Sequence, residues 1–290
     1  MIRSRLRLVA LAGAAAFTAA ACGTSSHNPA VSAPPTTVAA TSAASATTMP
    51  GEMALPPGAE NMKVAITSPA TGTKVTDNAV TLGVSTSGYT DTCDLAGKPQ
   101  VDTTSGHYHV LIDKSLVNMY CTPTAAVSMQ NVKPGMHTLT VVPALNDHAE
   151  VTPNAQSITV DYEPTSPLPE ITDTTSAGAP SIKIVSPANG TTVSGPFDVT
   201  VQITNFHASC DLFGKPGVAG YGHWHLNLDS LSGPMMGMAG MMGMSCANVI
   251  HLTTTGLKSG EHHTFIAVLV DNSHAPLNPT ISDKIDVTIG

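Results

Sequence analysis

The chain has 290 residues, 42% of them hydrophobic and only 11% charged, with a formal net charge of -8. That apolar content is enough for one or two domains with real cores. A sparse, net acidic charge with no basic run argues against nucleic acid as a partner.

The N-terminus carries the pattern of an export signal. "MIRSRLR" supplies three arginines, "LVALAGAAAFTAAA" supplies an apolar run of 14 residues, and small residues then lead into Cys22. The run is shorter than the roughly 20 residues of a membrane span. Ala19-Ala20-Ala21-Cys22 resembles the lipobox of bacterial lipoproteins, although that family usually has Leu where Ala19 stands. The resemblance implies a signal peptide over 1–21, lipidation of Cys22, and attachment of the mature chain to the extracytoplasmic face of the cell membrane. Residues 22–59 are mostly Ala, Thr, Ser and Pro. Too little apolar surface is present to offset the entropy of ordering, so this stretch is read as a disordered tether.

Beyond the tether the chain repeats itself. "VAITSPATGTKVTDNAVTLGVSTSG" at 64–88 answers "IKIVSPANGTTVSGPFDVTVQITNF" at 182–206, and "CDLAGKP" at 93–99 answers "CDLFGKP" at 210–216. "GHYHVLID" then matches "GHWHLNLD", "KPGMHTLTVV" matches "KSGEHHTFIAV", and "NDHAEV" matches "NSHAPL", all in the same order. The repeats are assigned to 60–163 and 180–290, with a Pro- and Thr-rich linker over 164–179 between them. Short runs of Val, Ile and Thr bounded by Gly, Pro, Asn and Asp turns predict β-strands throughout. "SPATGTKV" and "SPANGTTV" resemble the first strand and turn of bacterial immunoglobulin-like domains. The expected fold is therefore all-β: two tandem immunoglobulin-like β-sandwiches.

Four cysteines remain after Cys22, two in each repeat. Outside the cytoplasm, Cys93 with Cys121 and Cys210 with Cys246 are expected as intradomain disulfides, thiolate metal ligation being the alternative.

Side chains alternate across a strand, so His107, His109, Leu111 and Asp113 share one face, and Tyr108, Val110 and Ile112 the other. In the second copy His223, His225, Asn227 and Asp229 lie opposite Trp224, Leu226 and Leu228. The apolar face is assigned to the core, which points the histidines away from it. Four histidine positions recur in the two copies: His107 with His223, His109 with His225, His137 with His263, and His148 with His274. His262 competes with His263 for the third place, and His263 aligns better with the Thr and apolar residues after it. Two imidazoles at i and i+2, roughly 6 to 7 Å apart at the backbone, can reach one ion, and rings from "PGMHT" and "NDHAE" can complete a nitrogen-rich site. Such a site suits Cu(II), Zn or Ni. Asp113 and Asp229 are expected to orient a ligating ring or to bind directly. The same motifs resemble an uncharacterised family of exported bacterial domains, with a His-rich strand ending Leu-Ile-Asp, a Pro-Gly-x-His-Thr turn and an Asp-x-x-His-x-Pro loop. The first copy departs from it at "NDHAEV" and the second at "SGEHHT". That resemblance implies exported β-domains with clustered histidines and no assigned activity.

The second copy alone carries an insertion of about nine residues, read in "GPMMGMAGMMGM". Met235, Met236, Met238, Met241, Met242 and Met244 are soft thioether donors that favour Cu(I). The bland alternatives are an apolar loop packed on the sandwich or an oxidant-scavenging surface. The loop is expected near the second histidine cluster. Taken together, the sequence points to a lipid-anchored copper protein for sequestration or delivery, with zinc or another divalent transition metal as alternatives and a copper-accepting or envelope protein as partner. An adhesion or envelope-scaffold module is the competing reading. A cupin-like metal oxygenase is the weaker third one, since the acid is Asp rather than Glu. No hydrolase elbow, phosphate loop or metalloprotease helix is present.

Overall fold

A computed structural model describes residues 55–99, 102–176, 178–233 and 237–290. The signal, most of the tether, Cys22, Met235 and Met236 lie outside the described residues. The first repeat forms β1 (Lys63–Ser68), β2 (Thr73–Val75), β3 (Ala79–Ser87), β4 (Thr90–Asp91), β5 (Ser105–Ile112), β6 (Ser115–Tyr120), β7 (Thr124–Ser128), β8 (Gly135–Ala144) and β9 (Gln156–Tyr162). The second forms β10 (Ser181–Ser186), β11 (Thr191–Val193), β12 (Pro196–Thr204), β13 (His207–Ala208), β14 (Tyr221–Leu228), β15 (Met241–Ser245), β16 (Val249–Thr253), β17 (His262–Val270) and β18 (Ser282–Ile289). Short 3₁₀ turns are the only helical pieces among the described residues, and no helix there is long and apolar enough to cross a membrane.

Both repeats use one topology. A sheet in the order β1-β3-β7 faces a larger one in the order β2-β9-β8-β5-β4, with β6 paired to β5. β10-β12-β16 likewise faces β11-β18-β17-β14-β13, with β15 paired to β14. These are two tandem immunoglobulin-like sandwiches. The first core gathers Tyr108, Val110 and Ile112 of β5 against Leu82, Val84, Val127, Leu139 and Val141. The second gathers Trp224, Leu226 and Leu228 of β14 against Val199, Val201, Phe265 and Ala267. The polar tips of the two large aromatics find backbone acceptors: Tyr108 Oη donates to the Thr122 carbonyl and the Trp224 indole N–H to the Ala247 carbonyl, both at 2.7 Å.

Cys93 is bonded to Cys121 and Cys210 to Cys246, with Cα atoms 5.6 and 5.3 Å apart. Each bridge ties the segment leading into the histidine strand to the end of the strand beside it. Such bonds persist in an oxidising compartment, which makes this an extracytoplasmic domain.

Alternation points the histidine faces of β5 and β14 away from the apolar core, and the structure shows that these faces are nevertheless covered: His107, His109, His223 and His225 are all buried. The cover on the second face is the other repeat. Gly97, with φ +69°, lies against the backbone of Met241, where an added Cβ would come within 2.3 Å of its carbonyl carbon. Gly214, with φ +71°, lies in the same way against Leu116. Met241 and Leu116 hold equivalent register positions, opposite Asn227 and Leu111, so the contact is reciprocal. Next to Gly97, the Lys98 ammonium crosses the contact and donates to the carbonyls of Thr253 and Thr255 at 2.5 and 2.7 Å. Burial pushes its pKa down to about 8. The "CDLxGKP" phrase of each repeat is thus an interface motif, a role its sequence did not disclose.

Candidate metal centres

Antiparallel pairing sets the site. In β5, His107 stands opposite Ala144 and His109 opposite Val142 of β8. The turn that leaves β8 places His148 above them, with φ +64°, and its backbone N–H bonds the Leu145 carbonyl at 2.9 Å. His274 repeats this geometry at φ +65° over His223 and His225. A left-handed backbone at a β-substituted residue costs on the order of 1 kcal/mol, and its occurrence at both loop histidines fits a functional constraint.

The three rings of each copy converge. His107 Nε2, His109 Nε2 and His148 Nδ1 lie 3.1, 3.1 and 3.2 Å from one another. His223 Nε2, His225 Nε2 and His274 Nδ1 lie 2.9, 3.0 and 3.3 Å apart. Donors about 2.0–2.1 Å from one ion are about 2.9 Å apart at octahedral angles and about 3.35 Å apart at tetrahedral ones. Both triangles fall in or at the edge of that window, so each triad could hold a metal ion.

Outer partners fix the tautomers of His109, His148 and His274. His148 Nε2–H donates to the Met241 carbonyl at 2.7 Å, and His109 Nδ1–H to Glu150 Oε1 at 2.8 Å. In their neutral forms both rings therefore turn lone pairs inward. His274 Nε2–H donates to the Leu116 carbonyl at 2.9 Å, with the same result. Three lone-pair nitrogens can share one proton, but a cation satisfies all three at once. Burial, reinforced by neighbouring imidazoles, holds His107, His223 and His225 well below the ordinary imidazole range. Burial likewise pushes His148 down to about 3 and His274 to about 4. These five rings are accordingly neutral at physiological pH, which is the ligating form.

The remaining site candidates lie elsewhere. His137 sits on β8 seven residues before Ala144, about 23 Å along a strand that rises about 3.3 Å per residue. Its Nδ1–H meets Asp113 Oδ2 at 2.6 Å and its Nε2 faces the Lys133 carbonyl at 2.7 Å, so neither nitrogen is left for a metal. His263 is held likewise by Asp229 and Glu261 at 2.8 and 3.4 Å. His262 instead meets Thr288 Oγ1 at 3.0 Å. Asp113 and Asp229, expected to orient a ligating ring, orient these strand-end histidines and accept the backbone N–H of Thr138 and Thr264. The carboxylate that does touch a triad is Glu150, overlooked in the sequence although it stands two residues from His148. Pro276 fills its place in the second copy.

The methionine loop divides. Met242 is in the second core, and Met244 packs against the first. Met241 is fully buried and offers its carbonyl to His148. Met238 lines a cleft shared with His109, His148 and Glu150. The described part of the loop therefore reaches the first triad rather than only the second, because the reciprocal packing swings β15 over the first repeat.

No protein-family model matches the chain, and no curated protein matches it. Among solved structures, the chain is similar to the fibronectin(III)-like modules of Clostridium thermocellum CbhA, with 13% identity over 78% of this chain and 93% of that one and a TM-score of 0.24. It is also similar to the FN1–FN3 domains of chicken CNTN1, with 11% identity over 77% of this chain and 66% of that one and a TM-score of 0.22.

Proposed function

We propose that this is a lipid-anchored, extracytoplasmic metal-binding protein, a carrier rather than a catalyst, which holds copper for sequestration or delivery to an accepting envelope protein. Zinc is the nearest alternative ion. The reading rests on one observation above the others: two separate triads of buried imidazole nitrogens, each within 3.3 Å of one another. Copper is favoured over other imidazole-loving ions by the thioether of Met238 beside the first triad. Attachment through Cys22 is favoured by the signal-like segment that precedes it.

Trp224 provides the test, because it lies between His223 and His225 and is buried in the core behind them. The chain dialysed against Cu(II) is expected to retain two ions and to show quenched indole emission. The His223→Ala, His225→Ala variant is expected to retain one ion with emission unquenched. A wild-type chain that retains neither copper nor zinc leaves only the paired sandwiches, and the scaffold reading with them.

A further inference from the structure

The two triads are alike in their ligands but not in their surroundings. Beside the first is a cleft of about 430 Å³ whose walls include His109, His148, Glu150, Lys114, Met238 and Ser273. Leu111, two residues beyond His109 on the same face, is half-exposed in that cleft. Its counterpart Asn227 is 1% exposed, and its side-chain amide donates to the Gly237 carbonyl at 2.8 Å. Gly237 is in turn pressed against Ser230 and Leu231 at the end of β14, and Gly240 lies against Leu228. The described part of the insertion unique to the second repeat thus folds down beside the second triad. On the far side of that triad the Phe213 ring packs on His223 and His274, with centroids 4.3 and 5.9 Å away, where the first repeat has only Ala96.

The same insertion brings Met238 into the wall of the first cleft. A thioether there is a neutral, soft, weakly held donor, suited to pass a soft cation to imidazoles one step deeper. Glu150, whose side chain is 32% exposed, links that cleft to His109 and supplies local negative charge. Among the described residues no carboxylate bonds a ring of the second triad: Pro276 replaces Glu150, and Asp271, which reaches His274 only through its charge, has its Oδ1 taken up by Ser273 and Ala275.

Building on the metal-binding reading, we propose that the triads have unequal roles: His107, His109 and His148 form the exchange site, loaded and emptied with Cu(I) through the Met238 cleft, whereas His223, His225 and His274 retain their ion. Transfer is ligand substitution without change of oxidation state. On loading, the cuprous ion exchanges a donor of the delivering molecule for the Met238 sulfur and then that sulfur for a ring nitrogen; transfer to the accepting molecule runs the two exchanges in reverse.

The test is cuprous-ion removal from the full chain, loaded anaerobically without thiol reductants so that both disulfides survive, and followed by stopped flow with excess bicinchoninate. Two phases of equal amplitude are expected. His107→Ala should abolish the fast phase and His223→Ala the slow one. Met238→Leu, a loop substitution that leaves both triads intact, should slow the fast phase severalfold and leave the slow phase unchanged. Two equivalents leaving in one phase, a fast phase that survives His107→Ala, or unchanged rates in Met238→Leu would each overturn the inference while leaving metal binding in place. A wild-type chain that takes up no copper would remove both.

Discussion

The imidazole of His148, in the first repeat, donates its outer N–H to the carbonyl of Met241 in the second, 2.7 Å away. His274 returns the contact to Leu116 at 2.9 Å. Each triad is therefore completed by backbone from the opposite sandwich, so docking of the repeats and orientation of the ligands are one event.

Disturbing the docking should accordingly disturb metal binding. Gly97→Ala would place a methyl group into the Met241 backbone at a positive φ. A loss of at least about 2 kcal/mol in unfolding free energy is expected, together with weaker retention of the ion in the first triad. Denaturation and dialysis of the same sample measure both. Unchanged metal content in a destabilised variant would show that docking and ligation are separable.

Glu150 should tune one site alone. Replacing it with Gln removes the charge from the His109 Nδ1 contact. By the usual effect of partners behind metal ligands, affinity at the first site should fall about 10- to 100-fold, and competition with a chelator should show the second site unaffected. Equal weakening of both sites would contradict the assignment.

His137 separates clamp from ligand. His137→Ala breaks its contacts with Asp113 and Lys133. It should lower stability by about 1–2 kcal/mol while the chain still binds two ions, as read by urea denaturation and metal analysis. Loss of an ion would return His137 to the site.

The metal-free chain should weaken in mild acid. Well above pH 6.5 His107, His148, His223, His225 and His274 are neutral both folded and unfolded, and contribute no pH dependence. Below it the unfolded imidazoles take up protons, whereas His148 and His274 stay neutral until about pH 3 and 4. Stability therefore falls with pH, by up to about 1.4 kcal/mol per unit for each ring held neutral. Urea midpoints should decline from about pH 6.5 toward 4. A smaller slope is expected after His148→Asn, and an unchanged slope would show that the ring is not held neutral by the fold.

Local chemistry carried much of this molecule. Alternation along "GHYHVLID" put Tyr108, Val110 and Ile112 in the core, turn residues marked the strands, and the duplicated His-x-His phrase with the distant His148 and His274 marked the two triads. Strand alternation states which side chains share a face but not what covers that face, so it set the histidines apart from the apolar core without showing that they are buried. Only the packing of one sandwich on the other could bury them. The same limit explains His137: register along β8 sets its distance from the triad, and recurrence in both copies cannot tell a strand-end clamp from a ligand. Glu150, the role of Gly97 and Gly214, and the reach of Met238 to the first triad were decided by tertiary structure, because each depends on residues brought together from separate strands or from opposite repeats.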